Sequence, residues 1–200
     1  MLCCLDLEGV LMPEVWINVA EKTKVDALKI TTRDEPDYDK LMKYRLEILR
    51  KEGIKLQDIQ KVIGKMDPLP GAKDFLKELR KHFQVIILSD TYYEFAGSMM
   101  EKLGGPTLFC NWLEIDQDGF IANYHLRQQN GKEQAVRSLK GLGFKVVAAG
   151  DSYNDITMLQ VADRGILFKP PEKIIGEFPQ FPVTRTYKEL LEAFLKTANS

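Results

Sequence analysis

The chain has 200 residues, 44% of them apolar and 28% charged, and a net charge of -1. That is enough for one large core, or a core with an insertion, and it leaves no basic excess for a nucleic-acid partner. No apolar run approaches the roughly 20 residues that span a bilayer, and Asp6 interrupts an apolar N-terminus that has no basic flank, so neither a membrane span nor a secretory signal is expected.

In chain order, Met1 to Leu5 is an apolar strand that ends in Asp6-Leu7-Glu8-Gly9-Val10. Residues i and i+2 of an extended segment face the same way. Asp6 and Glu8 can therefore share one volume as nucleophile and proton donor, or remain two solvated loop carboxylates where Gly9 bends the chain. From 13 to 68 the pattern is helical. Trp16, Val19 and Ala20 mark one helix, Met42, Leu46 and Leu49 a second that stops before Gly53, and Ile59, Val62 and Ile63 a third. A polar stretch from Thr31 to Asp39 separates the first two. Pro13 and Pro68-Leu69-Pro70-Gly71 are candidate hinges, so the expected division is a core of 1–12 and 69–200 with a helical module of 13–68 inserted.

Beyond Pro70, helices and strands alternate. Phe75, Leu76, Leu79 and Phe83 share a helical face, and Val85 to Leu88 is a strand buried on both sides that ends in Ser89-Asp90-Thr91. A helix from about Tyr93 to Leu103 leads to a short strand, Thr107 to Cys110, and then to a hairpin, Leu113 to Leu126. The hairpin turns at Asp116-Gln117-Asp118-Gly119, which lacks the later ligands of a calcium loop. A helix from about Lys132 to Leu142 precedes Lys145 to Ala149, a buried strand closed by Gly150-Asp151-Ser152-Tyr153-Asn154-Asp155. A helix with Ile156, Leu159 and Ala162, a strand from Gly165 to Phe168 and a closing helix from Tyr187 follow. This order implies an α/β fold, a doubly wound parallel sheet. Cys3, Cys4 and Cys110 fall in apolar runs without metal-site spacing and read as buried thiols of a cytoplasmic protein.

Three apolar runs finish on polar residues, at Asp6, at Ser89-Asp90 and at Gly150-Asp151. Ligands of open α/β sheets bind beyond the carboxyl ends of the strands. If these strands are neighbours, Asp6, Ser89 and Asp151 converge there, with Asn154 and Asp155 at a nearby helix start. Three acids at close range cannot all stay ionised without compensation. A hard cation is the natural compensation, Mg²⁺ rather than zinc, because the donors are oxygens and no histidine is near in sequence.

These residues resemble the haloacid dehalogenase superfamily of phosphotransferases, across the whole chain. Asp6, Glu8 and Val10 match its first motif, Ser89 its second, Lys132 its third and Gly150 to Asp155 its acidic fourth. The resemblance implies that Asp6 becomes an aspartyl-phosphate and that Glu8 protonates the leaving alcohol and then activates the second acceptor. It also implies that Ser89 and Lys132 hold the phosphoryl oxygens. Asp6, Asp151 and the Glu8 carbonyl would hold Mg²⁺, and Asn154 and Asp155 would orient the metal waters or Lys132. Such roles suit phosphoryl transfer, which needs in-line attack and positive charge on the equatorial oxygens. Glu8 stands where the superfamily usually has Asp, and Asp90 where a small residue is common. Alone, Lys132 would be a solvated helix residue and Ser89 a turn residue.

The inserted module is similar to the helical cap of the phosphoserine phosphatase branch, where a cap Glu holds the substrate ammonium and a cap Arg its carboxylate. Arg45 matches that arginine; Glu14, the candidate glutamate, comes one residue early, and either can instead be an exposed helix ion. Ser89, Asp90, Lys132 and Asn154 complete the expected substrate-binding set. More closely, Leu5 to Val10, Thr31-Thr32-Arg33-Asp34, Ile87 to Thr91, Ala148 to Asp155 and Glu177 to Pro182 resemble a subgroup of bifunctional phosphoserine phosphatase/homoserine phosphotransferases. That implies transfer of phosphate from phosphoserine to water or to homoserine. One extra methylene supports only about 1–3 kcal/mol of discrimination, so a serine-shaped pocket can admit homoserine. The rival readings are a phosphatase for another small phosphomonoester and a non-catalytic binding protein of the same fold. Tyr92, Tyr93, Phe95 and Trp112 leave a homodimer open, with core burial the expected fate of all four.

Overall fold

The structure is a computed structural model that describes residues 1–31, 34, 35 and 37–198. Its elements run β1 (Leu2–Leu5), α1 (Val15–Thr23), α2 (Tyr38–Lys51), α3 (Leu56–Ile63), α4 (Ala72–His82), β2 (Gln84–Tyr92), α5 (Tyr93–Lys102), β3 (Thr107–Ile115) and β4 (Ile121–His125). They continue with α6 (Gly131–Gly141), β5 (Val146–Gly150), α7 (Ile156–Val161), β6 (Arg164–Phe168), α8 (Glu172–Glu177), β7 (Val183–Thr184) and α9 (Tyr187–Ala198). The strands form one sheet in the order β4-β3-β2-β1-β5-β6-β7, parallel except for the β3–β4 hairpin.

The central strand is apolar throughout because both of its faces are covered. Cys3 and Leu5 point into a core shared with α1, α3, α4, α5 and α9. Leu2 and Cys4 point the other way, into a core built with α6, α7 and α8. The three cysteines are buried and unbridged. The inserted helices form where their apolar residues recur at helical spacing. The second of them starts on Asp37, whose Oδ1 accepts from the backbone N–H of Asp39 (3.1 Å) and Lys40 (3.2 Å). No helix among the described residues is long and apolar enough to cross a membrane. Thr32 and Arg33, part of one stretch that carries the subgroup resemblance, lie outside the described residues.

Three expectations change. The short strand at 107–110 and the hairpin arm that begins near Leu113 are one continuous strand, β3. Asn111 does not break it, because its amide is consumed on both sides, donating to the Asp90 carbonyl (3.1 Å) and accepting from Arg127 N–H (3.0 Å). The elements α8 and β7, six and two residues long, were not anticipated, being too short to show a period. Of the four aromatics expected in the core, Tyr92 and Phe95 are buried, whereas Tyr93 is 48% and Trp112 42% exposed. Trp112 instead stacks on His125 across the hairpin, with ring centroids 5.4 Å apart. The Asp116–Gly119 segment is a turn: Asp116 accepts from the N–H groups of Asp118 and Phe120 and pairs with Arg50, which occupies its carboxylate.

Candidate active site

The register of the sheet brings the three strand ends together. Leu5 lies opposite Ile87 on one side and Ala149 on the other, so Asp6 and Asp151 leave the sheet at about the level of Ser89, where β2 runs on past the end of β1 to Tyr92. Lys132, in the first turn of α6, crosses over them. Its ammonium donates to Asp6 Oδ1 (2.8 Å) and Asp155 Oδ1 (2.7 Å), and lies 3.6 Å from Asp90 Oδ2. Asp6, Lys132 and Asp155 are all buried. The second Asp155 oxygen accepts from Asp151 N–H (3.0 Å), Ser152 N–H (3.1 Å) and the Ser152 hydroxyl (3.2 Å), so that carboxylate is a structural anchor.

Two glycines make this density possible. A Cβ on Gly150 would lie 2.3 Å from the Asp155 carboxyl carbon, and one on Gly9, whose φ is +80°, would lie 2.5 Å from Asp151. Only glycine lets the backbone approach both acids so closely.

Burial, Asp155 and Asp151 hold the Asp6 carboxyl well above the usual range, with Lys132 opposing them. Burial and Asp155 push Asp151 up to about 7. Burial works against the Lys132 ammonium, yet the carboxylates of Asp155, Asp6 and Asp90 together outweigh it, and the lysine stays charged. One positive charge thus serves several acids. Oxygens of Asp6, Asp151 and Asp155 lie within 4.8 Å of one another. This all-oxygen set of surplus acids fits a hard divalent cation. Asp155 already holds Lys132 and the backbone, so Asp6 and Asp151 are the members with oxygens to offer.

Above this floor is a cavity of about 270 Å³, walled by Glu8, Ser89, Asp151 and Asn154 on one side and by Glu14, Trp16, Tyr38 and Arg45 from the inserted helices on the other. Glu8 turns toward the inserted helices, where its Oε2 accepts from Val15 N–H (2.8 Å). Burial and the neighbouring Glu14 carboxylate raise Glu8 to about 8, so it carries a proton at neutral pH. Glu14 itself is exposed. Arg45 is buried, not the exposed helix ion that the sequence left open. Its guanidinium lies 4.5 Å over the Trp16 ring and donates through Nη2 to the Ile30 carbonyl (2.7 Å), and its Nε has no partner. Arg45 also lines the cavity, where a planar guanidinium suits an anionic oxygen. Ser89 is buried, and its hydroxyl accepts from Thr91 N–H at 3.2 Å.

Sequence reasoning passed over the pair that ties the two walls. The hydroxyls of Tyr38 and Tyr92 are 2.7 Å apart, and Tyr38 and Asn111 both reach the Asp90 carbonyl, at 3.4 Å and 3.1 Å. The two tyrosines are 54 positions apart in the chain, and no local pattern joins them.

Residues 1–163 match the haloacid dehalogenase-like hydrolases, and the chain belongs to that family. Over 198 residues it is 57% identical to the phosphoserine phosphatase ThrH of Pseudomonas aeruginosa, spanning 99% of this chain and 97% of that one. A phosphoserine phosphatase of Pseudomonas syringae pv. tomato is 54% identical over the same length, with 84% of that protein covered. Among solved structures, an apo phosphoserine phosphatase superposes with a TM-score of 0.78 at 22% identity, covering 96% of this chain and 97% of that chain. At that identity the likeness speaks for the fold, an α/β architecture on a mostly parallel sheet.

Proposed function

We propose that this chain is a Mg²⁺-dependent phosphoserine phosphatase that works through an aspartyl-phosphate on Asp6 and can also pass the phosphoryl group to homoserine. The observation that carries this reading is Lys132 bridging Asp6 and Asp155, beside acids grouped closely enough for one cation. The two Pseudomonas relatives, both named phosphoserine phosphatases, support the substrate.

In this reading the inserted segment, 13–68, is a cap over a core of 1–12 and 69–200. Asp6 and Asp151, with the Glu8 carbonyl, hold Mg²⁺, which when bound offsets the repulsion between the nucleophile and a dianionic phosphate. Ser89 and Lys132 take the equatorial phosphoryl oxygens, and Asp155 and Asn154 keep Lys132 and the site waters in place. Arg45 receives the substrate carboxylate through its guanidinium, and Glu14 faces the ammonium.

The Asp6 carboxylate attacks phosphorus as the ester P–O bond breaks, and the proton on Glu8 goes to the leaving serine oxygen. Glu8, now a carboxylate, takes a proton from water. The water oxygen attacks phosphorus, the P–O bond to Asp6 breaks, and free Asp6 and inorganic phosphate result. Homoserine in place of water gives phosphohomoserine by the same bond changes. Its hydroxyl sits one methylene further out, a difference worth only about 1–3 kcal/mol. Phosphate release from phosphoserine with Mg²⁺, with and without homoserine, tests the reading, with Asp6→Asn as control. Turnover of other phosphomonoesters but not of phosphoserine would overturn the substrate. Loss of phosphoserine without phosphohomoserine when homoserine is added would overturn the transfer.

A further inference from the structure

A second and larger cavity, about 750 Å³, adjoins the first. Ser89, Asp90, Lys132 and Asn154 line both, so the two chambers meet at the point where the functional reading puts the phosphoryl group. Their walls differ in charge. The chamber under the inserted helices carries Asp6, Glu8, Glu14, Asp90 and Asp151 against Arg45 and Lys132. With two charges of a bound cation set against Asp6 and Asp151 and the Glu8 carboxyl protonated, Glu14 and Asp90 are matched by Arg45 and Lys132, and no cation there is left over. The larger chamber carries Arg127, Lys132 and Lys173 against Asp90 and Glu133, and Glu133 is already paired with Arg137 at 2.8 Å.

Arg127 is held ready for an anion. Its guanidinium lies 5.2 Å over the Phe109 ring, Nη2 donates to the Gly131 carbonyl (3.3 Å), and its backbone N–H is fixed by Asn111. Among the described residues it pairs with no carboxylate. Lys173 is exposed, with a long 3.8 Å contact to Glu177 and its ammonium 5.9 Å over the Tyr153 ring. Among the described residues Tyr38 is the one member of the inserted segment in this wall, and the rest of the wall comes from the sheet side.

We propose that this second chamber is the exit for inorganic phosphate, with Arg127 and Lys173 drawing the anion away from Lys132, while the alcohol leaves on the side of the inserted helices. The inference rests on the reading that phosphate is a product of this site. Electrostatics decides the direction. An anion released at Lys132 meets a balanced wall on one side and a surplus of cations on the other, and clefts of one sign steer oppositely charged ligands through their rates of passage. Phosphate thus leaves while the inserted helices stay closed over the donor side.

A route must act in both directions, so the probe is inorganic phosphate itself, mixed with the Mg²⁺-loaded protein in a stopped-flow instrument. The paired variant Arg127→Gln/Lys173→Gln is expected to lower the association rate at least about fivefold at low salt and to flatten its salt dependence. Arg127→Glu/Lys173→Glu lowers it further, and Arg127→Lys/Lys173→Arg restores it. Circular dichroism establishes that each variant is folded. With phosphoserine, the neutral variant releases serine in a first-turnover burst while phosphate release lags. Association rates within about twofold of wild type in both the neutral and the reversed variants, or no phosphate binding by the wild type, overturn the exit. Phosphate binding that follows these expectations without turnover of phosphoserine upholds the exit and overturns the substrate assignment instead.

Discussion

The floor and the roof of the candidate site are built on opposite terms. On the floor, the lysine and its anchor are committed: Lys132 to Asp6 and Asp155, and Asp155 to three further donors, all buried beside the carboxyl ends of adjacent parallel strands, with Asp6 and Asp151 keeping oxygens for a cation. On the roof, groups are left waiting. The Arg45 Nε has no partner, Glu14 is exposed, and the raised Glu8 keeps a proton. A floor tied in this way resists motion, and in the proposed function it serves the step that is the same for every substrate. An unsaturated roof has capacity that only a ligand fills, which is where discrimination between substrates belongs.

Breaking the floor is expected to have the largest effect. Lys132→Met leaves Asp6 and Asp155 buried without their cation, a loss of about 3–5 kcal/mol, with activity down on the order of 10³-fold. Adding Asp155→Asn should return much of the stability, read by urea unfolding, and none of the activity, read by phosphate release. Full recovery of both would mean that the floor is merely structural.

The roof predicts a different signature. Arg45→Lys keeps the charge but loses the planar fork, and should raise the KM for phosphoserine about 10–100-fold, the worth of a hydrogen bond to a charged group. The kcat should change little, and phosphomonoesters without a carboxylate should be unaffected. Equal losses in kcat and KM for all esters would erase the distinction between floor and roof.

Glu8 joins the two. In the proposed function it must carry its proton to serve the leaving alcohol, and its carboxyl is raised to about 8. The value of kcat/KM should therefore hold below that pH and fall about tenfold per unit above it, a limb that Glu8→Gln removes. Glu8→Asp shortens the acid by one methylene and should shift the ratio of hydrolysis to transfer severalfold; an unchanged ratio would make the length of the acid irrelevant.

The smallest effect is one of stability. Asp151 is raised from 3.8 to about 7, so the metal-free folded protein binds more protons than the unfolded chain between those values. The stability tied to Asp151 is full below the unfolded value and is lost as pH rises through about 7. The Tm without metal should fall by a few degrees between about pH 5.5 and about pH 8, above the range in which the lowered surface carboxylates titrate. Mg²⁺ at the higher pH should restore it.

The floor was legible from the sequence because it follows from strands. Apolar runs that end in acids imply a parallel sheet with those acids at one rim, and the order β2-β1-β5 seats Ser89, Asp6 and Asp151 there. Lys132 was legible only through its place between motifs, since nothing local distinguishes it from other lysines. The roof was legible in outline. Helical periodicity located α1, α2 and α3, and resemblance singled out Arg45, but burial of that guanidinium depends on Trp16 and Ile30, which only folding brings near. The Tyr38–Tyr92 link and the continuous β3 rest on hydrogen bonds between distant positions and leave no periodic trace.

The central claim is that Asp6 carries the phosphoryl group between donor and acceptor. Acid quenching of the Mg²⁺-loaded enzyme within its first turnover of labelled phosphoserine should trap an acyl phosphate. The label should be released by hydroxylamine, map to Asp6 and be absent in Asp6→Asn. Steady turnover with no trapped label, or label that persists in Asp6→Asn, would contradict the account.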